Sequence, residues 1–177
     1  VSDDGSTDGT LEIVEEFVSK FPNLVRSIGG PNNGGISANF RNCFQKASGD
    51  LIAMLEGDDF WLHPQKLAKQ VRFLEDNLDC SMVFSKIEVL DEVRGTREPL
   101  GRQHRLKKNR LDGADFLSDE NMNLIANFSS CCFRTDLMKQ APVVLFEGRI
   151  NVIAVAFYLE RHGKIGFIND SGTVYRM

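Results

Sequence analysis

The sequence predicts an α/β fold, a sandwich with a mostly parallel central sheet flanked by helices, formed by a single domain of 177 residues. Three observations predict it. Residues 51–55, Leu-Ile-Ala-Met-Leu, are too uniformly apolar for a half-exposed strand and suit one covered on both faces. Segments with apolar residues at helical spacing alternate with such runs. The loops after the runs are rich in Asp, Gly and Ser, as at the carboxyl ends of strands where an open α/β sheet collects its ligands.

In chain order, Asp3 to Asp8 is a turn-rich loop, after which Leu11, Val14, Phe17 and Val18 mark a helix that stops before Pro22. Residues 24–28 read as a short strand, 29–35 as a loop, and 36–47 as a helix with Phe40, Cys43 and Phe44 on its apolar side. Gly49 separates that helix from the strand at 51–55, whose end carries Glu56, Asp58 and Asp59. Pro64 opens a further helix with Leu67, Val71 and Leu74 on one side, and residues 82–90 have strand character. Residues 91–110 hold Arg94, Arg97, Arg102, Arg105, Lys107, Lys108 and Arg110 with little apolar content, which predicts a long surface loop. A short helix at 112–117, a strand at 127–133, a helix at 152–161 and a last strand at 164–168 follow. The domain thus divides into a first half, 1–90, the basic loop, 91–110, and a second half, 111–177.

Composition bounds the partners. A hydrophobic fraction of 42% in 177 residues is enough for a substantial core. The balance of 21 basic against 25 acidic residues, a net charge of -4, argues against a nucleic-acid binder, whose affinity rests on neutralising phosphates. Cys43, Cys80, Cys131 and Cys132 lack paired metal-ligand spacing and read as reduced core thiols. His63, His104 and His162 lack such spacing too. No apolar run approaches the roughly 20 residues needed to cross a bilayer.

Glu56, Asp58 and Asp59 are the main chemical signal. Carboxylates this close repel one another, and a site that keeps them together commonly includes a hard cation, magnesium or manganese, able to grip a diphosphate. The plainer reading makes them, like Asp3 and Asp4, solvated turn residues and helix caps. Asn33-Gly34-Gly35 before a helix allows a close backbone approach to an anionic ligand, or is simply a flexible loop. Arg41, one turn further, can reach a phosphate or lie on the surface. Phe60 and Trp61 can line a sugar pocket, although core packing is the commoner role of such aromatics.

Three stretches taken together, Asp3-Asp4-Gly5-Ser6-Thr7-Asp8-Gly9-Thr10, Asn33-Gly34-Gly35-Ile36-Ser37-Ala38-Asn39 and Glu56-Gly57-Asp58-Asp59-Phe60-Trp61, resemble the ordered motifs of family 2 glycosyltransferases. The resemblance runs from Val1 to about Gln70 and returns at residues 162–168 and 174–176. It implies a GT-A fold, a nucleotide-diphosphate-binding sandwich, and inverting transfer of a sugar from a nucleotide-diphosphate donor to a hydroxyl. It implies that Asp3 or Asp4 contacts the nucleoside, that Glu56 approaches the ribose or the metal through water, that Asp59 faces the substrate and that Asp58 is the best ligand for a divalent metal. Asn33, Gly34 and Arg41 join the nucleotide-sugar candidates on the loop and helix argument above. Glu56 stands where the family has the first aspartate of its D-x-D motif.

Two departures accompany the resemblance. The family's general base is an aspartate, yet the ungapped position is Val152, preceded by Asn151; Glu147 is the nearest carboxylate able to stand in, and Asp119 and Glu120 are further candidates. Val1-Ser2 also leads straight into the first acidic loop, so the family's first strand is expected upstream of Val1. The expected partners are a nucleotide-sugar, guessed as a UDP-sugar, and a saccharide or lipid-linked acceptor. The expected setting is cytoplasmic, at the inner face of a membrane touched by the basic loop, in cell-surface polysaccharide or glycoconjugate synthesis. Two alternatives stand beside this: a nucleotide-sugar-binding module with impaired chemistry, and a metal-dependent nucleotidyltransferase.

Overall fold

The computed structural model describes residues 1–29, 34–116 and 124–177. They form two compact units. Val1–Gly49 with Met138–Ile150 make the first, and Asp50–Leu137 with Asn151–Met177 make the second.

In the first unit, helix α1 (Thr10–Lys20) begins after Gly9, whose φ of 86° suits a residue without Cβ. Asp8 Oδ1 accepts from the Thr10 hydroxyl at 2.6 Å and from its N–H at 3.2 Å, meeting one of the donors a helix start leaves open. Residues 24–28, expected as a strand, are irregular, but they carry the bonds of a parallel ladder. The Val1 amino group donates to the Arg26 carbonyl at 2.7 Å, and the Ile28 N–H donates to the Val1 carbonyl at 2.8 Å. Gly29 follows, where a Cβ would stand 2.4 Å from the Asp3 carbonyl oxygen, so only glycine lets the two segments run this close. Helix α2 (Ile36–Lys46) buries Ser37, Phe40 and Phe44. Phe44 meets Phe146 at 6.1 Å between ring centroids. The Ser37 hydroxyl donates to the Gly148 carbonyl at 2.5 Å and accepts from the Ile150 N–H at 2.8 Å.

The second unit holds the sheet. Its strands are β1 (Leu51–Ala53), β2 (Phe60–Trp61), β3 (Cys80–Asp91), β4 (Thr96–Pro99), β5 (Arg110–Leu111), β6 (Cys131–Arg134) and β7 (Lys164–Arg176). The order is β1-β6-β3-β7-β2, with β4 on β3 and β5 on β7. Helices α3 (Lys66–Asp76) and α6 (Val152–Glu160) pack against β3 and β7, and the short α4 (Gly113–Phe116) follows β5. Helix α5 (Thr135–Lys139) follows β6 and returns the chain to the first unit. The α/β class is as the sequence predicts, but the strand directions are mixed rather than mostly parallel. Among the described strands β3 and β7 pair in parallel, whereas β6 runs antiparallel to both β1 and β3. The reversal is consequential: Ala53 at the end of β1 pairs with Cys132 near the start of β6, so the turn that leads into β6 lies beside the acidic loop.

The expected basic loop is partly regular structure. Its first half turns through Gly95, at φ 67°, and returns as β4, so that Asp91 pairs with Thr96 and Glu88 with Pro99. Arg97 reaches Glu88 at 2.5 Å, which gives the charged strand its partner. Gln103, buried, accepts from the Ile87 N–H at 2.8 Å and donates to the Leu124 carbonyl at 2.8 Å. These two bonds anchor a segment with little apolar content. Beneath the strands, Leu74, Cys80, Val83 and Cys132 form a buried cluster. Burial pushes the Cys131 thiol up to about 12 and Cys132 to about 11, so both stay protonated. Among the described residues no helix is long and apolar enough to cross a membrane.

Candidate functional site

After β1 the chain turns at Glu56, whose carbonyl accepts the Asp59 N–H at 3.1 Å, and then enters β2, where Phe60 and Trp61 pair with Val174 and Thr173. The three carboxylates of this turn have different surroundings. Asp59 is 8% exposed, and its Oδ2 accepts from Asn127 Nδ2 at 2.7 Å while Oδ1 accepts from the Arg176 N–H at 3.2 Å. Glu56, half-buried, accepts from the Phe128 N–H at 3.2 Å and donates its own N–H to Ser129 Oγ at 2.9 Å. Asp58 is exposed, and its carboxylate has no hydrogen bond or ion pair among the described residues; only its carbonyl is engaged, by Arg176 Nε.

The electrostatics follow the burial. Glu56 lies above the usual carboxylate range because of burial first and the Asp59 charge second. Asp59 is raised as well: burial outweighs the bonds from Ser129, Arg176 and Asn127 that favour its charge. The fold therefore fixes two carboxylates and leaves Asp58 free. Among the described residues no group of three or more His, Cys, Asp or Glu side chains forms a metal cage. Asp58 fits a different kind of site, one where magnesium or manganese takes one or two protein carboxylates and fills its shell with phosphate oxygens and water.

The turn before β6 forms the wall behind this loop. Asn127 Oδ1 accepts the Ser130 N–H at 3.2 Å, and the Ser129 carbonyl accepts from Trp61 Nε1 at 3.0 Å and Thr173 Oγ1 at 3.1 Å. Gln70 Nε2 donates to the Ser130 carbonyl at 2.7 Å. Sequence reasoning assigned no role to Asn127, Ser129 or Arg176. The available signal was Asn-Phe-Ser-Ser ahead of an apolar run, read as the start of a strand; residues 128–130 are a 3-10 turn capped by Asn127, and the strand starts at Cys131.

In the first unit Asp3 is tied into its own loop. It accepts from the Gly5 and Ser6 N–H groups, both at 2.9 Å, and from the Ser6 hydroxyl at 2.5 Å, and the Ser6 bonds hold its carboxyl below the ordinary range. Asp4 accepts from the Gly34 N–H at 2.8 Å, joining the first acidic loop to the start of α2. Arg41 is exposed and lines a cavity of about 1100 Å³ with Gly34, Gly35, Asn42 and Arg149. Asn33, Asp119 and Glu120 lie outside the described residues. Glu147 is exposed in the turn after residues 143–146. In the second unit Asn151 caps α6 by accepting the Ile153 N–H at 2.7 Å, and Val152 is 6% exposed. The position expected of the base is thus a helix start with a core residue.

Comparison with known proteins defines the class. The profile of Glycosyl transferase family 2 matches residues 1–133, and the chain belongs to that family. The uncharacterized protein Rv1520 of Mycobacterium tuberculosis is 38% identical over 92 residues, which are 52% of this chain and 27% of that protein. Among solved structures, S. aureus TarS 1-349 superposes with a TM-score of 0.67 at 20% identity, covering 99% of this chain and 50% of that one. The mannosyltransferase PcManGT of Pyrobaculum calidifontis, solved with GDP-Man and Mn2+, gives a TM-score of 0.65 at 17% identity, covering 99% and 46%. The fold is GT-A, and the chain spans about half the length of these structures.

Proposed function

We propose that this chain binds a nucleotide-diphosphate sugar, guessed as a UDP-sugar, and transfers the sugar to a hydroxyl with inversion. The observation that carries the reading is Asp58, an exposed carboxylate with no partner among the described residues, between two that are held in place. Asp58 would hold a divalent cation, manganese or magnesium, which when bound offsets the charge of the departing diphosphate. Glu56 and Asp59 present fixed acceptors in the same turn; in the first unit Asp3 and Asp4 are assigned to the nucleotide-sugar by the family resemblance, and Asn33, Gly34 and Arg41 by their place at the start of a helix. Residues 1–90 are assigned to donor recognition and 111–177 to the acceptor.

In the transfer the acceptor oxygen bonds to the anomeric carbon from the face opposite the diphosphate. The bond to the diphosphate oxygen breaks, and the acceptor's proton passes to a carboxylate. Glu147 is the candidate for that carboxylate, exposed and free of the role that Asn151 fills as a cap. The acceptor is proposed to be a saccharide or lipid-linked glycan of a cell-surface polysaccharide pathway. Exposed Arg94 and Lys107 support contact with anionic lipid at a cytoplasmic membrane face.

Calorimetric titration with UDP, with and without manganese, tests the donor site. Metal-dependent binding that weakens at least about tenfold in Asp58→Ala supports it, on the weight of a charge-assisted contact. Metal-independent binding indifferent to that change refutes it. Glu147→Gln, if Glu147 is the base, lowers transfer about a hundredfold to ten-thousandfold and leaves donor binding unchanged. A second reading, a donor-binding module without turnover, is favoured by one observation, the burial of Val152 where the family carries its aspartate. Donor binding without transfer to any hydroxyl acceptor would establish it.

A further inference from the structure

Lys66, at the start of α3, is 3% exposed, and its Nζ lies 4.3 Å from the centroid of the Trp61 ring. No carboxylate pairs with it among the described residues, and Nζ has no hydrogen-bond partner. Gln70 Oε1 and Ser85 Oγ are likewise buried without partners among the described residues. Lys66, Gln70 and Ser85 line one narrow, partly open cavity of about 10 Å³, close to the least volume that holds a water. Gly172 closes the same cavity: a Cβ there would stand 2.6 Å from Ser85 Oγ and 3.1 Å from Lys66 Cγ. The three groups match the capacity of one water, which can accept from an ammonium and donate to an amide oxygen and a hydroxyl.

A lone buried ammonium is costly, and burial lowers Lys66 to about 8, so it remains mostly charged at neutral pH. The cation faces a ring with a second attachment. Trp61 Nε1 donates to the Ser129 carbonyl, and the Ser129 hydroxyl accepts the Glu56 N–H and bonds to Asp59. From β6, Cys131 and Cys132 lie within electrostatic range of Lys66 as neutral thiols; Lys69 on its own helix is paired with Asp170 of β7, and both line the cavity with His63.

We propose that Lys66 is the positioning residue of the acidic loop. Its ammonium, seated between the Trp61 ring and a water shared with Gln70 and Ser85, fixes Trp61 and, through Ser129, the placement of Glu56 and Asp59. The brace needs no bound donor, so its test is separate from that of glycosyl transfer.

Trp61 is the chain's single tryptophan, so intrinsic fluorescence reports on this ring alone. Titration of the wild type from about pH 6.5 to about pH 9.5, a range on both sides of the lowered lysine, is expected to shift the emission with a midpoint near pH 8. In NMR the Trp61 indole and Glu56 amide signals move with that same midpoint. Lys66→Arg, which keeps its charge, removes the transition and leaves the Glu56 amide at its neutral-pH position. Lys66→Met also removes the transition, with both signals displaced at every pH. A flat wild-type titration overturns the proposal without recourse to any variant. A Glu56 amide that ignores the change seen by the indole overturns it too, since the cation would then touch the ring and position nothing.

Discussion

Asn127 holds Asp59 in the protein interior, its Nδ2 2.7 Å from Oδ2, while the other end of the same amide accepts the Ser130 N–H at 3.2 Å. One side chain thus fixes a buried charge and the turn that packs against it. Asn127→Ala removes a bond to a charged group and orphans a buried N–H, at a cost of about 2–3 kcal/mol. Urea denaturation measures it; a loss below about 0.5 kcal/mol, typical of exposed sites, would contradict this role.

Glu56 and Asp59 are both raised above their ordinary values, 4.5 and 3.8, chiefly by burial. The folded chain therefore holds their protons more tightly than the unfolded one. Their contribution to stability is complete below those ordinary values and is lost as pH rises through the raised ones. Glu56→Gln keeps an acceptor for the Phe128 N–H and discards the charge. Its urea midpoint should exceed that of the wild type at pH 7, with the advantage fading near pH 4. An equal advantage at both pH values would show that the charge is not its source.

Gly166 in β7 lies under the Phe73 ring of α3, where a Cβ would stand 2.3 Å from Cε1. Gly166→Ala forces the ring, and with it the helix, outward. Overpacking of this kind costs about 1–3 kcal/mol, readable as a lowered melting temperature. Gly166→Ala combined with Phe73→Leu should recover part of the loss.

Asn151 caps α6 one residue before Val152, its side chain accepting the Ile153 N–H. Asn151→Ala removes the cap of α6 and should cost about 1 kcal/mol. Asn151→Asp retains the acceptor and adds a charge that a helix start favours, so its stability should equal or exceed that of the wild type. The same variant sets a carboxylate one residue from the family's position. Faster transfer at unchanged donor affinity would locate the missing base there.

The helices were legible because apolar spacing and Gly, Pro and Asp boundaries act locally: α2 was expected at 36–47 and spans Ile36–Lys46, and α6 was expected at 152–161 and spans Val152–Glu160. Strand direction was not, because it depends on partners remote in sequence; nothing in Cys131–Arg134 declares that it runs against Leu51–Ala53. The last strand was expected to stop at Ile168, where Asn169-Asp170-Ser171-Gly172 resembles a turn. The strand continues to Arg176 through shifts in register opposite Ser85, Lys86 and Ile87, which accommodate those residues as a bulge. That continuation delivers Thr173 to Ser129 and Arg176 to Asp58 and Asp59. The acidic residues were visible in the sequence, whereas the amides and hydroxyls that orient them were hidden by distance along the chain.

The hydrogen bond from Ser37 to the Gly148 carbonyl spans 111 positions. During synthesis, residues 1–49 leave the ribosome well before the piece that completes their unit, Met138–Ile150, has been made. At about 5–20 residues per second the wait lasts several seconds, longer than most small domains need to fold. Residues 1–49 therefore wait without their packing partners, and a translational pause between residues 49 and 138 would lower the yield of folded protein more than one after Ile150.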